Sequence, residues 1–207
     1  MRVLVVGASG TIGRAVVAAL EPRHEVIPVS HRNGPLTVDL ADSGSIARLY
    51  EKAGRVDAVV CAAGATRFRP LSELSEEDFR FSLLHKLLGQ INLVRLGIRF
   101  VEGGGSFTLT SGTLSRRPSP GGAAVSVANA GVEAFVASAA IELPRGIRIN
   151  AVSPGWVAET LKKIGHRPEG GTPAAEVARA YVEAIEGDAN GSIVEPGGPR
   201  EVSPAEG

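Results

Sequence analysis

Val3-Leu4-Val5-Val6-Gly7-Ala8-Ser9-Gly10-Thr11-Ile12-Gly13 sets three glycines between an apolar run and an amphipathic segment. Val3 to Val6 stops at Gly7 and has the length of a strand buried on both faces. Thr11 to Leu20 carries Ile12, Ala15, Val16 and Ala19 at helical spacing and ends ahead of Pro22. A strand, a glycine turn and a helix in that order predict a dinucleotide cradle. Gly7 permits the tight turn, Gly10 removes a Cβ where pyrophosphate oxygens approach, and Gly13 lets helix and strand pack closely. Ser9, Thr11 and Ile12 lie in the same turn and join the three glycines as candidate cofactor contacts. The competing reading is a βα turn whose cleft has lost its ligand.

The same alternation continues along the chain. Strands are predicted over Glu25 to Val29, Val56 to Ala62, Ser106 to Thr110, Ile147 to Val152 and Ser192 to Glu195. Helices are predicted over Ser43 to Ala53, closed by Gly54, and from the Ser75 N-cap toward Val101, with a break near Phe79-Arg80. Gly103-Gly104-Gly105 reads as a turn, and Gly122 to Leu143 as a long alanine-rich helix. Thr172-Pro173 reads as an N-cap and first helical position of a helix reaching about Glu186. The pattern implies an α/β single-domain Rossmann fold over 1–207. Its doubly wound parallel sheet has about seven strands, helices on both faces and right-handed crossovers.

Composition narrows the function classes. The 207 residues carry 22 Lys+Arg against 22 Asp+Glu, so no net basic charge favours nucleic acid or an anionic membrane. Cys61 is the one cysteine, which excludes an internal disulfide and suits a reducing compartment. His24, His31, His85 and His166 are scattered without metal-ligand spacing. No apolar stretch is long enough for a membrane span, and the expectation is a cytoplasmic protein acting on a small-molecule substrate.

The end of strand two bears on the cofactor. NAD sites place an acid there to hold the ribose hydroxyls, whereas this chain has Ser30-His31-Arg32. Ser30 does not repel a 2′-phosphate and Arg32 is placed to pair with one, so NADP is expected rather than NAD. Arg32 otherwise reads as a solvated loop residue. Asp39, followed by Leu40, accepts from the adenine amino group on one reading and caps the next helix on the other.

These residues, with Cys61-Ala62-Ala63-Gly64, Asn150-Ala151-Val152-Ser153-Pro154-Gly155 and Glu195-Pro196-Gly197-Gly198, resemble the short-chain dehydrogenase/reductase family over nearly the whole chain. The spacing of the opening glycines is closer to the extended and atypical branches of that family. The resemblance implies that Ala62, Ala63 and Gly64 border the cofactor, that Pro154 and Gly155 border the nicotinamide, and that 156–172 is a shortened substrate loop. It also implies a homodimer or homotetramer, paired through the long helix with its small residues Ala123, Val127, Ala130, Ala134, Ala137 and Ala140, against the reading that these faces pack on the protein's own sheet.

The catalytic positions depart from the family. Its Tyr falls on Val125, its Lys on Asn129, its Ser on Gly112 beside Ser111, and its helix Asn on Lys86. The chain therefore resembles a subgroup lacking the usual active-site residues, with Asn129 left as a cofactor contact. Lys86 and Ser111 are the candidate replacements, weighed against a lysine that salt-bridges or caps a nearby carbonyl and a backbone-bonding serine. Arg116-Arg117 reads as an anion receiver or a solvated pair, Trp156 as a stacking platform or core filler, and His166 as a substrate contact or surface residue. Cys61 reads as a buried strand residue, and Tyr50 and Tyr181 as packing or surface residues far from the cleft. Two functions stay open: an NADP(H)-dependent oxidoreductase with a rebuilt site, and an inactive NADP(H)-binding sensor or scaffold. A chain that binds no dinucleotide is the third possibility.

Overall fold

The computed structural model describes residues 1–197, so Gly198 of the last quoted motif lies outside the described residues. Seven parallel strands form one sheet in the order β3-β2-β1-β4-β5-β6-β7. They are β1 (Arg2–Val6), β2 (Glu25–Ser30), β3 (Leu36–Thr37), β4 (Val56–Cys61), β5 (Val101–Thr110), β6 (Arg148–Val152) and β7 (Ile193–Val194). The helices are α1 (Thr11–Leu20), α2 (Ser43–Ala53), α3 (Glu76–Ser82), α4 (Gly89–Gly97), α5 (Ala123–Ala139), α6 (Ala158–Lys163) and α7 (Ala174–Glu186). Chain order reverses between β1 and β4, which opens a crevice at the carboxyl ends of the central strands.

Alternation along β1 explains its uninterrupted apolar run. Leu4 and Val6 enter a core shared with α2, α4 and α5, while Val3 and Val5 enter a second core shared with α1 and α7. Both faces are covered, so no polar residue is required on either.

Several sequence expectations are corrected. Gly103-Gly104-Gly105 is not a turn ahead of the strand. Those glycines lie inside β5, where pairing with β4 shifts between Val56↔Val101 and Ala58↔Ser106. An added Cβ on Gly105 would collide with the Asp57 carbonyl oxygen. The long helix after Ser75 is not broken at Phe79-Arg80: a π-helical segment, Leu83–Leu88, joins α3 to α4. α5 stops at Ala139, four residues short of Leu143. Thr172 does not cap α7; the Glu159 carboxylate of α6 accepts from the Ala174 amide at 2.9 Å instead. Strand β3 has only two residues and gave no apolar run to read.

Buried polar groups fix the strand ends that carry the cleft. Gln90 clamps the end of β5, donating to the Thr110 carbonyl at 3.0 Å and accepting from the Thr110 amide at 2.8 Å. Tyr50 stacks on Phe100 with centroids 5.2 Å apart, and its hydroxyl donates to the Leu93 carbonyl at 2.7 Å. Removing that hydroxyl leaves a buried carbonyl without this donor, so Tyr50→Phe is expected to cost about 1–2 kcal/mol. Urea unfolding is the check: the midpoint falls while the denaturant slope is unchanged.

Candidate functional site

The crevice has two adjoining parts. The first, about 560 Å³, is lined by Gly7, Ser9, Gly10, Ser30, His31, Arg32, Asp39, Leu40, Ala62, Ala63 and Gly64, together with Phe81 and His85. The second, about 370 Å³, is lined by Ile12, Lys86, Ser111, Gly112, Val125, Asn129, Pro154, Gly155 and Trp156, with Thr66, Phe68 and Thr113 among the remainder. Gly64 and Lys86 stand where the two meet; a Cβ on Gly64 would come within 3.1 Å of Lys86 Cγ.

The glycine turn is built for close approach. Gly7 has φ +88°, and a Cβ there would lie 2.7 Å from the Ala62 carbonyl oxygen. A Cβ on Gly13 would run into the Gly7 carbonyl, so Gly13 is a packing residue beneath the turn and lines neither part of the crevice. No side chain caps the N-terminus of α1, which leaves its first-turn N–H groups for another acceptor. Thr11 lies outside both linings; its Oγ1 accepts from Lys163 Nζ at 2.8 Å, which ties α6 to that same turn. Asp39 does not cap α2, a role taken by Asp42; one Asp39 carboxylate oxygen accepts from the Ala41 amide at 2.9 Å.

Lys86 sits within the π-helical segment, a distortion that recurs at functional sites. Its ammonium donates to the Ser111 carbonyl at 3.3 Å, with no carboxylate paired to it among the described residues. Desolvation lowers its pKa to about 8. Burial pushes the Cys61 thiol in the opposite direction, to about 11, consistent with an inert strand residue.

Asn129 is buried against Gly112. Its Nδ2 donates to the Gly112 carbonyl at 3.3 Å, whereas its Oδ1 is buried without a partner. A Cβ on Gly112 would lie 2.8 Å from Asn129 Nδ2, so a serine side chain does not fit there without displacing Asn129. Ser111 lines the cleft, but its hydroxyl donates to Glu133 at 2.6 Å. That carboxylate also accepts from Ser115, Ser153 and Arg116.

Arg116 and Arg117 are exposed, as the solvated reading expects, but carboxylates already hold both guanidinium groups. Both pair with Glu195, at 2.5 Å each, and Arg116 also pairs with Glu133. Trp156 is not core filling: it is 45% exposed and meets Phe68 edge to face, with centroids 6.0 Å apart. His166 is exposed. Tyr181 is fully buried but less remote than its helix suggests, since its hydroxyl lies 2.5 Å from Thr110 Oγ1 in the cleft wall. Phe68, Phe81, His85 and Thr113 also line the crevice without any motif to mark them: Phe68 lies in a loop, Phe81 and His85 on the α3 and π-helical turns, and their facing the cleft is set by tertiary packing.

Comparison with known proteins agrees with this geometry. A family profile described as enoyl-(acyl carrier protein) reductase matches residues 9–182. The solved structure of the protein lin1944 from Listeria innocua is 46% identical, with a TM-score of 0.91, covering 94% of this chain and 98% of that one. A small-chain dehydrogenase solved in complex with NADPH is 27% identical, with a TM-score of 0.83, covering 94% of this chain and 95% of that one. The 2,3-dihydro-2,3-dihydroxybenzoate dehydrogenase of Escherichia coli (strain K12) is 27% identical over 164 residues, 69% of this chain. The chain spans just under two thirds of that relative's length, 66%. Among the described residues, no helix is long and apolar enough to cross a membrane, and no cluster of three metal-ligating side chains occurs.

Proposed function

This chain belongs to the short-chain dehydrogenase/reductase family, and from that premise we propose an NADP(H)-dependent oxidoreductase in which Lys86 replaces the family's proton donor. The observation that carries the reading is the orphaned Oδ1 of Asn129, a buried acceptor aligned with the cofactor-holding lysine of the family. An unpaired buried acceptor is costly, and a ribose hydroxyl of a bound dinucleotide would satisfy it.

The rest of the crevice fits the same group. The glycine turn and the uncapped start of α1 would hold the pyrophosphate, with the Lys163 ammonium adjoining that turn. Ser30 and Arg32 would hold the 2′-phosphate; that a small-chain dehydrogenase 27% identical to this chain was solved with NADPH supports NADP(H) as the kind of cofactor. Ala62, Ala63 and Gly64 would border the adenosine half, and Pro154 and Gly155 the nicotinamide. When bound, the reduced nicotinamide supplies a hydride. Lys86 then holds a proton at Nζ, beside the junction of the two parts, and gives it to the oxygen that gains negative charge. Residues 156–172, which contain α6, would be the substrate loop of a single NAD(P)-binding domain proposed for 1–207.

Ser30→Asp tests the cofactor assignment. The new carboxylate repels a 2′-phosphate and accepts from ribose hydroxyls, so the NADPH/NADH affinity ratio should fall about 100-fold or more. Parallel fluorescence titrations of the two dinucleotides measure it, and an unchanged ratio counts against the assignment.

A second copy of the chain is proposed to cover the outer face of α5. Val127, Ala130, Ala134 and Ala137 are exposed there, beside exposed Leu84 and Leu88. Ala134→Glu should shift sedimentation toward the monomer, whereas an unaltered oligomer would place the interface elsewhere.

The spent hydroxyl of Ser111, with Val125 and Gly112 standing where the family's Tyr and Ser would be, favours a second reading, an inactive NADP(H)-binding protein. NADPH binding without oxidation across a carbonyl and quinone panel would select it.

A further inference from the structure

The part of the crevice beyond Lys86 has an unusual chemical make-up. Among the described residues, Lys86 is its only charged lining group. Ile12, Leu114, Val125 and Val157 form apolar walls, and Phe68 and Trp156 form an aromatic mouth, 48% and 45% exposed. Thr66, Thr113 and Thr160 add neutral hydroxyls, which donate hydrogen bonds but release no proton near neutral pH.

Hydride delivery to an isolated ketone places full charge on one oxygen. That alkoxide is strongly basic and needs a proton donor together with a second group polarising the carbonyl. This chain has Val125 and Gly112 where those two groups would stand. Hydride delivery to a quinone instead produces a phenolate, whose charge spreads through the ring and whose conjugate acid has a pKa of about 10, like a tyrosine phenol. Such an anion forms without a simultaneous proton; one nearby cation is enough to stabilise it.

We propose that this pocket takes a planar quinone, reduced to the hydroquinone at the expense of a reduced nicotinamide dinucleotide, with Lys86 neutralising the ring oxygen. The inference rests on the dinucleotide-binding reading above and adds the substrate class. Two electrons and one hydrogen nucleus pass from the nicotinamide to the quinone, giving the hydroquinone monoanion. A proton from the Lys86 ammonium, replaced from solvent, completes the hydroquinone. Quinone, reduced dinucleotide and one proton thus yield hydroquinone and oxidised dinucleotide. The pocket of about 370 Å³ lies within the usual size range for small-molecule sites, and the Phe68–Trp156 pair offers ring edges and faces to a flat guest.

Trp156 is the only tryptophan in the chain, so its emission reports on the mouth directly. The test titrates 2-methyl-1,4-naphthoquinone into the protein with and without NADPH, then follows anaerobic NADPH oxidation with this quinone and with cyclohexanone. Saturable quenching, weakened several-fold by Phe68→Ala, is expected, with kcat/KM for the quinone about 100-fold or more above the ketone. Equal or better turnover of the ketone, or NADPH binding with neither quinone quenching nor quinone turnover, overturns the substrate class alone. Absence of NADPH binding overturns the underlying reading and this inference with it.

Discussion

Lys86→Met lowers the rate of NADPH oxidation by about 10²–10⁴-fold, the range expected for loss of a positioned acid, and leaves NADPH affinity within about twofold. Methionine keeps most of the stem that passes Gly64 and loses only the ammonium. The split between rate and affinity separates a proton donor from a lysine that merely fills space. The pH profile sharpens the distinction. Desolvation holds the Lys86 pKa near about 8, so the acid form predominates at pH 7 and is depleted as pH rises through that value. Turnover should therefore decline above about pH 8, and the declining limb should vanish in the methionine variant. The neighbouring Cys61 thiol remains protonated across this window, its own pKa being pushed up to about 11. A profile unchanged by the substitution would assign the limb to another group.

The glycine turn gives the second large effect, and its two positions should fail differently. In Gly13→Ala the new methyl overlaps the Gly7 carbonyl, a backbone atom that moves only if β1 and α1 separate. The cost should reach about 3 kcal/mol, toward the upper end for overpacking, and the melting temperature should fall accordingly. In Gly10→Ala the nearest atom is the Gly7 carbonyl oxygen at 3.2 Å, a contact that small adjustments relieve. That variant should melt near the parent, yet bind NADPH about 100-fold more weakly, since the methyl would stand where the pyrophosphate is proposed to lie. Calorimetry on both proteins reads stability and binding together. Parent-like NADPH binding by Gly10→Ala would remove the pyrophosphate from this turn.

β1 and the Ala58–Cys61 end of β4 were legible because burial on both faces makes each an apolar run, whereas β5 is legible from Phe107 and Leu109 alternating with Ser106, Thr108 and Thr110. β1, α1 and α2 fall where spacing, glycine and proline placed them. The two-residue β3 carries too little pattern to register, and the β5 bulge arises from pairing with β4, which no local reading of three glycines reveals. The π-helical segment is equally silent, since Leu83–Leu88 has ordinary helix-forming residues that mark no widened turn. At the site, most of the motif residues proposed for the cofactor line one crevice because they sit at strand ends that the topology brings together, whereas Thr11 and Gly13 line neither part. What lay hidden was commitment: Ser111 spends its hydroxyl on Glu133, and Arg116 and Arg117 are held by carboxylates distant in sequence. Which polar groups are free is a property of partners, and partners are chosen by the fold.

The most direct test is a crystal structure of the NADPH complex. Pyrophosphate is expected on the turn of Gly7 and Gly10, a ribose hydroxyl donating to Asn129 Oδ1, and the nicotinamide beside Pro154-Gly155 with Lys86 Nζ facing the same space. A dinucleotide bound elsewhere, or one that leaves Asn129 Oδ1 unpartnered and Lys86 turned away from the nicotinamide, would contradict this placement.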